Sequence, residues 1–455
     1  MSTRRGLLAA TVFAAFALGA VPASAHDPDD GGDHPPTGGG GPDLHSENMT
    51  LEQNLPKVGN ATQSDLAFQG DYAYAGAFDG FRVIDISDPA NAQQVSFFPC
   101  NGGQGDVSVR GDLLFSSVDS PQSSPACNST NVANAAVPGA WEGVRIFDIS
   151  DPANPSHITS VATDCGSHTH TLVPRGQGTV FVYVSSYALT TPSMGPNCEQ
   201  FHGKISVIHV PMDDPADARV ISEPAVNVAD FDDARLEFTA PVLQDTNGCH
   251  DISVITPLRL AAAACLSEGQ IWDISNPVAP RLLERLTTPQ VRAWHSAAFT
   301  WDGQRVAFGD EWGGGVLPRC REGDSSESGA VWMYDVGSGN ELGSYKLPRA
   351  ETGVCTMHNF NFVPGIDRDI LVSSAYTAGT TVADLTDPAA PAEIAFYRPG
   401  DPIAANAWSS YWHNGFVYAN DINRGVDIFS VDHPALVGAA NLSRDNPQTQ
   451  ERLFR

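Results

Sequence analysis

Lysine is nearly missing from this chain. Only Lys57, Lys204 and Lys346 occur in 455 residues, and 25 basic residues face 53 acidic ones. The formal net charge is −28, and losing Arg4 and Arg5 with an N-terminal leader would make it −30. A surface this acidic argues against nucleic acid and anionic membranes as partners and favours solubility. Long hydrophobic runs are absent except for one, Leu7 to Val21, which follows Arg4 and Arg5 and ends in the small residues of "PASA". That pattern reads as a secretory signal peptide over 1–25, cleaved after Ala25, and is too short for a membrane span. "TRRGLL" also resembles a twin-arginine export signal, so the export route stays open while a secreted, extracellular location is expected. Helical periodicity is missing throughout. So are a G-x-S-x-G elbow, a P-loop, a dinucleotide-binding glycine fingerprint and H-E-x-x-H, which removes the commonest hydrolase, nucleotide-binding and metalloprotease signatures.

Residues 26–47, "HDPDDGGDHPPTGGGGPDLHSE", hold almost no apolar side chain and are read as a flexible leader. The remainder repeats one grammar. "GFRVIDISDPANAQQV" from Gly80 returns as "GVRIFDISDPANPSHI" from Gly143, "GQIWDISNPVAPRLL" from Gly269 and "GTTVADLTDPAAPAEI" from Gly379. Looser copies begin at Gly203, Gly329 and Gly425, with intervals of 46 to 66 residues. Each copy reads as a β-branched strand, an Asp-Pro turn and an outer strand, preceded by two strands joined by a tight turn. Four strands in each of seven units predict an all-β fold, a seven-bladed β-propeller over 48–440. Its last blade needs a fourth strand, either Met49 to Val58 or a segment near Leu436. The former is preferred because joining the chain's ends seals exposed sheet edges. The polar tail 441–455 is expected to be loose.

"RVIDISDP" and "RIFDISDP", with "CGSHTHTLVP", "GCHDISV", "WHSAAF" and "AWSSYWHNGFVYAN", resemble the LVIVD-repeat family of bacterial secreted propellers. The resemblance covers Asn48 to about Ser430 and implies the fold, but no established reaction.

Eight cysteines in an exported chain imply four disulfides. Cys100, Cys165, Cys249 and Cys355 lie just before innermost strands. Cys127, Cys198 and Cys320 lie in long loops between second and third strands, and Cys265 ends a second strand. Both kinds of connection open on one face of a propeller. Neighbour pairing, Cys100–Cys127, Cys165–Cys198, Cys249–Cys265 and Cys320–Cys355, therefore needs no chain crossing.

Aligned innermost strands start at Ser64, Gly105, His170, His250, His295, His358 and Ser409. Four consecutive blades thus carry histidine at one register, at the mouth of the central channel, with His168 one step further out as an additional candidate. Clustered imidazoles suit a transition metal ion such as Zn, Cu or Fe. Asp251, Asp310 and Glu311 are available to orient ring N–H groups. Asp65 and Asp106 join Asp251 as candidate channel carboxylates, and Trp294, Trp312, Trp408, Tyr411 and Trp412 as candidate pocket aromatics. Two functions remain open. One is a metal-dependent oxidoreductase or lyase acting on a small molecule. The other is a non-catalytic extracellular module that recognises a peptide, glycan or cell-wall partner through its rim loops. A monomer is expected in either case.

Overall fold

The computed structural model describes residues 42–59, 61–186, 198, 202–226, 248–312, 315, 320–349, 351, 353–400 and 406–454. The expected signal peptide, and the leader as far as residue 41, lie outside the described residues. Seven sheets of four or five strands make the seven-bladed β-propeller. Blades 1 to 6 each run from innermost to outermost strand in chain order: 63–99, 107–162, 169–222, 251–286, 294–345 and 360–398. Blade 7 takes Ala407–His413, Phe416–Asp421 and Gly425–Val431 from the C-terminal part and closes with Met49–Pro56, antiparallel to Gly425–Val431. The expected N-terminal strand is the one that seals the ring.

Middle strands face another blade on both sides, so they read as continuous apolar runs. Leu260–Cys265, "LAAAAC", is buried along nearly its whole length. Between blades 4 and 5, Ala262, Ala264 and Ile271 pack on Phe299, Val306 and Trp332. The repeated glycine has a steric cause. At Gly80, φ is +146° and a Cβ would sit 2.0 Å from the Phe98 carbonyl oxygen of the outer strand. Gly425, at φ +98°, would meet Leu55 O at 2.3 Å in the ring-closing strand. Only glycine allows both the backbone angle and the approach.

The repeated aspartate also has a local job. Asp85, Asp148, Asp273 and Asp384 each accept, through Oδ1, the amide two residues on, at 2.8–3.0 Å, which sets the turn into the outer strand.

Two expectations are corrected. The end of the leader is not free: Leu44–His45 adds a short strand to the outer edge of blade 6. The tail is not loose either. Arg444–Asp445 joins the innermost strand of blade 1, and Thr449–Gln450 runs parallel to that of blade 4. Between them, Asn446 exchanges two hydrogen bonds with Val109 of blade 2, at 2.8 and 2.9 Å. Thr449 Oγ1 donates to Leu172 O of blade 3, and Gln450 Nε2 to Phe299 O of blade 5, both at 2.9 Å. Its polarity, which suggested solvation, is what lets it satisfy the carbonyls and amides that line a channel. Among the described residues no helix is long and apolar enough to cross a membrane.

Truncation after Ala440 should therefore lower stability by about 3–5 kcal/mol, taking ~1 kcal/mol for each buried hydrogen bond lost, as read by denaturant unfolding. A change within error would mean that the tail docks without contributing. The repeat aspartates give a pH prediction. Local hydrogen bonds hold the Asp85, Asp148 and Asp384 carboxyls below the usual range, and bonds from Ser275 and Arg281 take Asp273 down to about 2. A carboxyl depressed in the folded state adds stability above its unfolded value and loses it as pH falls through the folded one. Melting temperature should drop progressively from about pH 4 to about pH 2, and replacing Asp85, Asp148 and Asp273 together by alanine should flatten that drop.

Candidate metal centre

Blades 3, 4 and 6 begin their innermost strands beside a disulfide, and a fourth bridge stands at the start of blade 2. The four bridges are Cys100–Cys127, Cys165–Cys198, Cys249–Cys265 and Cys320–Cys355, as neighbour pairing on one face predicts. Cys249 directly precedes His250, while Cys165 and Cys355 each lie three residues before a buried histidine. Three of the bridges therefore tether the turns from which His168, His250 and His358 project.

Four rings form a row: His168 to His250, 4.2 Å between centroids, His250 to His295, 3.7 Å, and His295 to His358, 4.4 Å. All four side chains are buried. His250, His295 and His358 thus come together, as their common register suggested. The blade 3 member of the row is His168, and His170 has other contacts. The backbone shows why. The amides of His168, His250 and His358 each donate to the second strand of their own blade, at Ser185 O, Ala264 O and Ser374 O. His168 is thus the counterpart of the other two. Alternate residues of a strand share a face, so a two-residue slip in the alignment leaves the pattern unchanged and the sequence could not reveal it. His170 instead bonds blade 2: its Nδ1 lies 2.8 Å from Ser117 Oγ and 3.1 Å from Asp106 Oδ2, and its backbone amide donates to Asp106 Oδ2 at 2.7 Å.

The outer nitrogens of three rings are anchored. His168 Nδ1 lies 2.8 Å from Asp119 Oδ2, His250 Nδ1 3.1 Å from Asp251 Oδ1, and His358 Nδ1 2.5 Å from the Trp408 carbonyl. Such bonds favour Nδ1 as a protonated nitrogen in each ring and turn Nε2 inward. The inner atoms converge. His168 Nε2 and His250 Nε2 are 2.7 Å apart. Glu311 Oε2 lies 3.5 Å from His295 Nε2, and Glu311 Oε1 lies 3.8 Å from His358 Nε2. The Tyr376 hydroxyl donates to Glu311 Oε1 and holds the carboxylate in place.

Burial depresses His250 and His295 far below the usual histidine range, helped by neighbouring rings, and takes His358 down to about 3. These imidazoles are neutral at physiological pH and available as ligands. Burial also works to lower His168, but its hydrogen bond and attraction to Asp119 outweigh that and raise it. Burial raises Asp251 and Glu311 to about 7. Two neutral imidazoles cannot point lone pairs at each other across 2.7 Å, so a proton lies between His168 and His250 here, in keeping with the upward shift of His168.

Asp310 has a different task from the one expected. Its Oδ1 accepts the amides of Arg292 and Ala293 at 3.1 and 3.0 Å, and its Oδ2 that of Gly329 at 3.0 Å. It clamps the loops that carry His295 and Glu311 instead of orienting a ring. Asp119 and Tyr376 complete the site and carry no sequence signal, since neither belongs to the repeated pattern, and the Trp408 carbonyl joins them although the sequence marks that residue only as a pocket aromatic. Of the candidate aromatics, Trp408 reaches the site, 4.8 Å from the His358 ring. Trp294 and Trp412 belong to cores between blades, Tyr411 donates to Asp65 Oδ1, and Arg292 covers Trp312.

Below the row lies a cavity lined by Asp65, Asp106, Asp251, Asn359 and the four histidines among others, with room for about one water-sized or ion-sized occupant. Asp65 forms part of its floor and accepts Gln448 Nε2 of the tail at 3.2 Å. Removing the Asp310 clamp should cost about 2–3 kcal/mol in an Asp310→Ala variant, because three amides lose a charged acceptor. The measurement is denaturant unfolding, and a cost below 0.5 kcal/mol would show that water replaces the carboxylate there.

A family model described as LVIVD repeat matches residues 59–96 and 137–163, which lie in blades 1 and 2. Among solved structures, the WD40 beta propeller domain of Doa1 is similar at 11% identity and a TM-score of 0.50, over 86% of this chain and 99% of that one. Hydrazine synthase of Kuenenia stuttgartiensis is similar at 11% identity and a TM-score of 0.54, over 81% of this chain and 94% of that one. At such identities the likeness is one of fold alone. No curated protein matches the sequence.

Proposed function

We propose that this LVIVD-repeat β-propeller is a metal-dependent protein of the oxidoreductase or lyase type, whose channel-mouth histidines hold a transition metal ion such as Zn, Cu or Fe. The observation that carries the reading is the orientation of the imidazoles. Nδ1 of His168, His250 and His358 is tied outward to a carboxylate or carbonyl, while His168 Nε2 and His250 Nε2 meet at 2.7 Å. That is the arrangement of histidines that bind a cation through Nε2 and are oriented through Nδ1. His250, Asp251 and His295 form one set of donor atoms within 4.8 Å of one another, and His295, Glu311 and His358 form another. Imidazole with carboxylate suits Zn, Cu and Fe.

Bound there, the ion would supply Lewis acidity or electron transfer to a small molecule arriving from the disulfide-tethered face. The chain's own groups do the rest. Asp119, Asp251 and the Trp408 carbonyl keep the rings aimed, and Tyr376 keeps Glu311 turned toward His295 and His358. Burial excludes bulk water and leaves neutral nitrogen as the donor. The secreted location expected from residues 1–25 agrees with four disulfides, which persist in oxidising surroundings.

Protein purified without a histidine tag should contain transition metal by mass spectrometry, or take it up after dialysis. Free ion at one hundred times its dissociation constant should add about 2.7 kcal/mol of stability, because only the folded chain brings the ligands together. A His250→Ala, His295→Ala double variant should lose both the metal and the stabilisation. Wild-type protein that stays metal-free, with a melting temperature unmoved by Zn, Cu or Fe, would overturn the proposal.

A further inference from the structure

We infer that the histidine row holds two metal ions that share the His295 ring, one in the channel cavity with His250 and Asp251, the other beside Glu311 and His358. The inference rests on the metal-binding reading above and adds the number of ions and the shared ligand. Both sets of close donor atoms contain His295, and each brings its own carboxylate and its own second imidazole. The two carboxylates differ in position: Asp251 lines the channel cavity together with all four histidines, whereas Glu311 does not. The Tyr376 hydroxyl donates to Glu311, which faces His295 Nε2 and His358 Nε2.

The His295 ring is suited to a shared position. Its Nε2 faces Glu311, while its Nδ1 is buried and meets no hydrogen-bond partner among the described residues. In the other three rings of the row Nδ1 is occupied by an oxygen. A buried ring nitrogen left without a partner is a cost in the metal-free chain. It becomes a ligand if a second ion lies on that side, with the ring proton passing to solvent as the bond to the metal forms. His168, whose Nε2 meets that of His250, then completes the cavity set.

Charge favours cations at this place. Asp65, Asp106, Asp119, Asp251 and Glu311 bring five carboxylates to the row and its cavity, and neither lysine nor arginine lines that cavity.

Metal content per chain is the test. Full-length, oxidised protein without a tag is loaded with Zn(II), desalted and analysed by inductively coupled plasma mass spectrometry. Wild type should carry two ions, and Asp251→Asn and Glu311→Gln should each carry one, a twofold drop. One ion in wild type overturns this inference and leaves single-ion binding standing; none overturns both. Two ions retained in both variants overturns the assignment of the carboxylates. A measurement on wild type alone guards against variants that misfold. With Cu(II) loaded instead, a shared imidazole should couple the two ions magnetically. The integrated paramagnetic resonance signal should then fall to less than half of that expected from the copper content at low temperature. Full signal intensity overturns the shared ligand.

Discussion

Ring closure is the constraint on which everything else depends. A strand from one end of the chain, Met49–Pro56, pairs with Gly425–Val431 from the other, and only then do seven sheets face a common axis. Without that pairing the first and last blades would present bare edges and the channel would have no fixed diameter. Histidines remote from one another along the chain meet because the ring is closed. The disulfides act at a smaller scale, holding the turns at which the imidazoles enter the channel.

The repeat was legible because its chemistry is local. A glycine that must let an outer strand approach, and an aspartate that must hold a turn amide, recur in several of the blades, so spacing alone exposes them. Disulfide pairing was legible once the blades were counted, since the topology leaves few neighbours on one face. The candidate site was only partly legible. His250, His295 and His358 could be brought together by register, and Glu311 by its place at the end of a second strand. The choice between His168 and His170 could not, since both share a strand face and only the backbone hydrogen bonds separate them. Asp310 looked like a partner for a ring because it sits beside Glu311, yet its oxygens are taken by three amides. Asp119 and Tyr376 come from positions that the repeat does not specify. The tail was misjudged for a physical reason: polar sequence usually marks solvation, but an axial channel offers unpaired backbone groups that polar side chains satisfy.

Concentrating four imidazoles and two carboxyls in a buried place is unfavourable in a metal-free chain. Imidazoles lose solvation, Asp251 and Glu311 are pushed up to about 7 by burial, and lone pairs crowd. The fold tolerates this because the blade cores on either side are continuous and apolar. A core of that kind does not need the row for stability, which leaves the row free to be shaped by what it binds.

The docked C-terminus has a kinetic consequence. Residues 444–450 cross the axis against the ends of the innermost strands, away from their histidine-bearing starts, so the bore is corked at its base. With that end taken up by the tail among the described residues, arrival at the imidazoles and departure from them would share the opposite mouth and compete for it, instead of following each other through a tunnel.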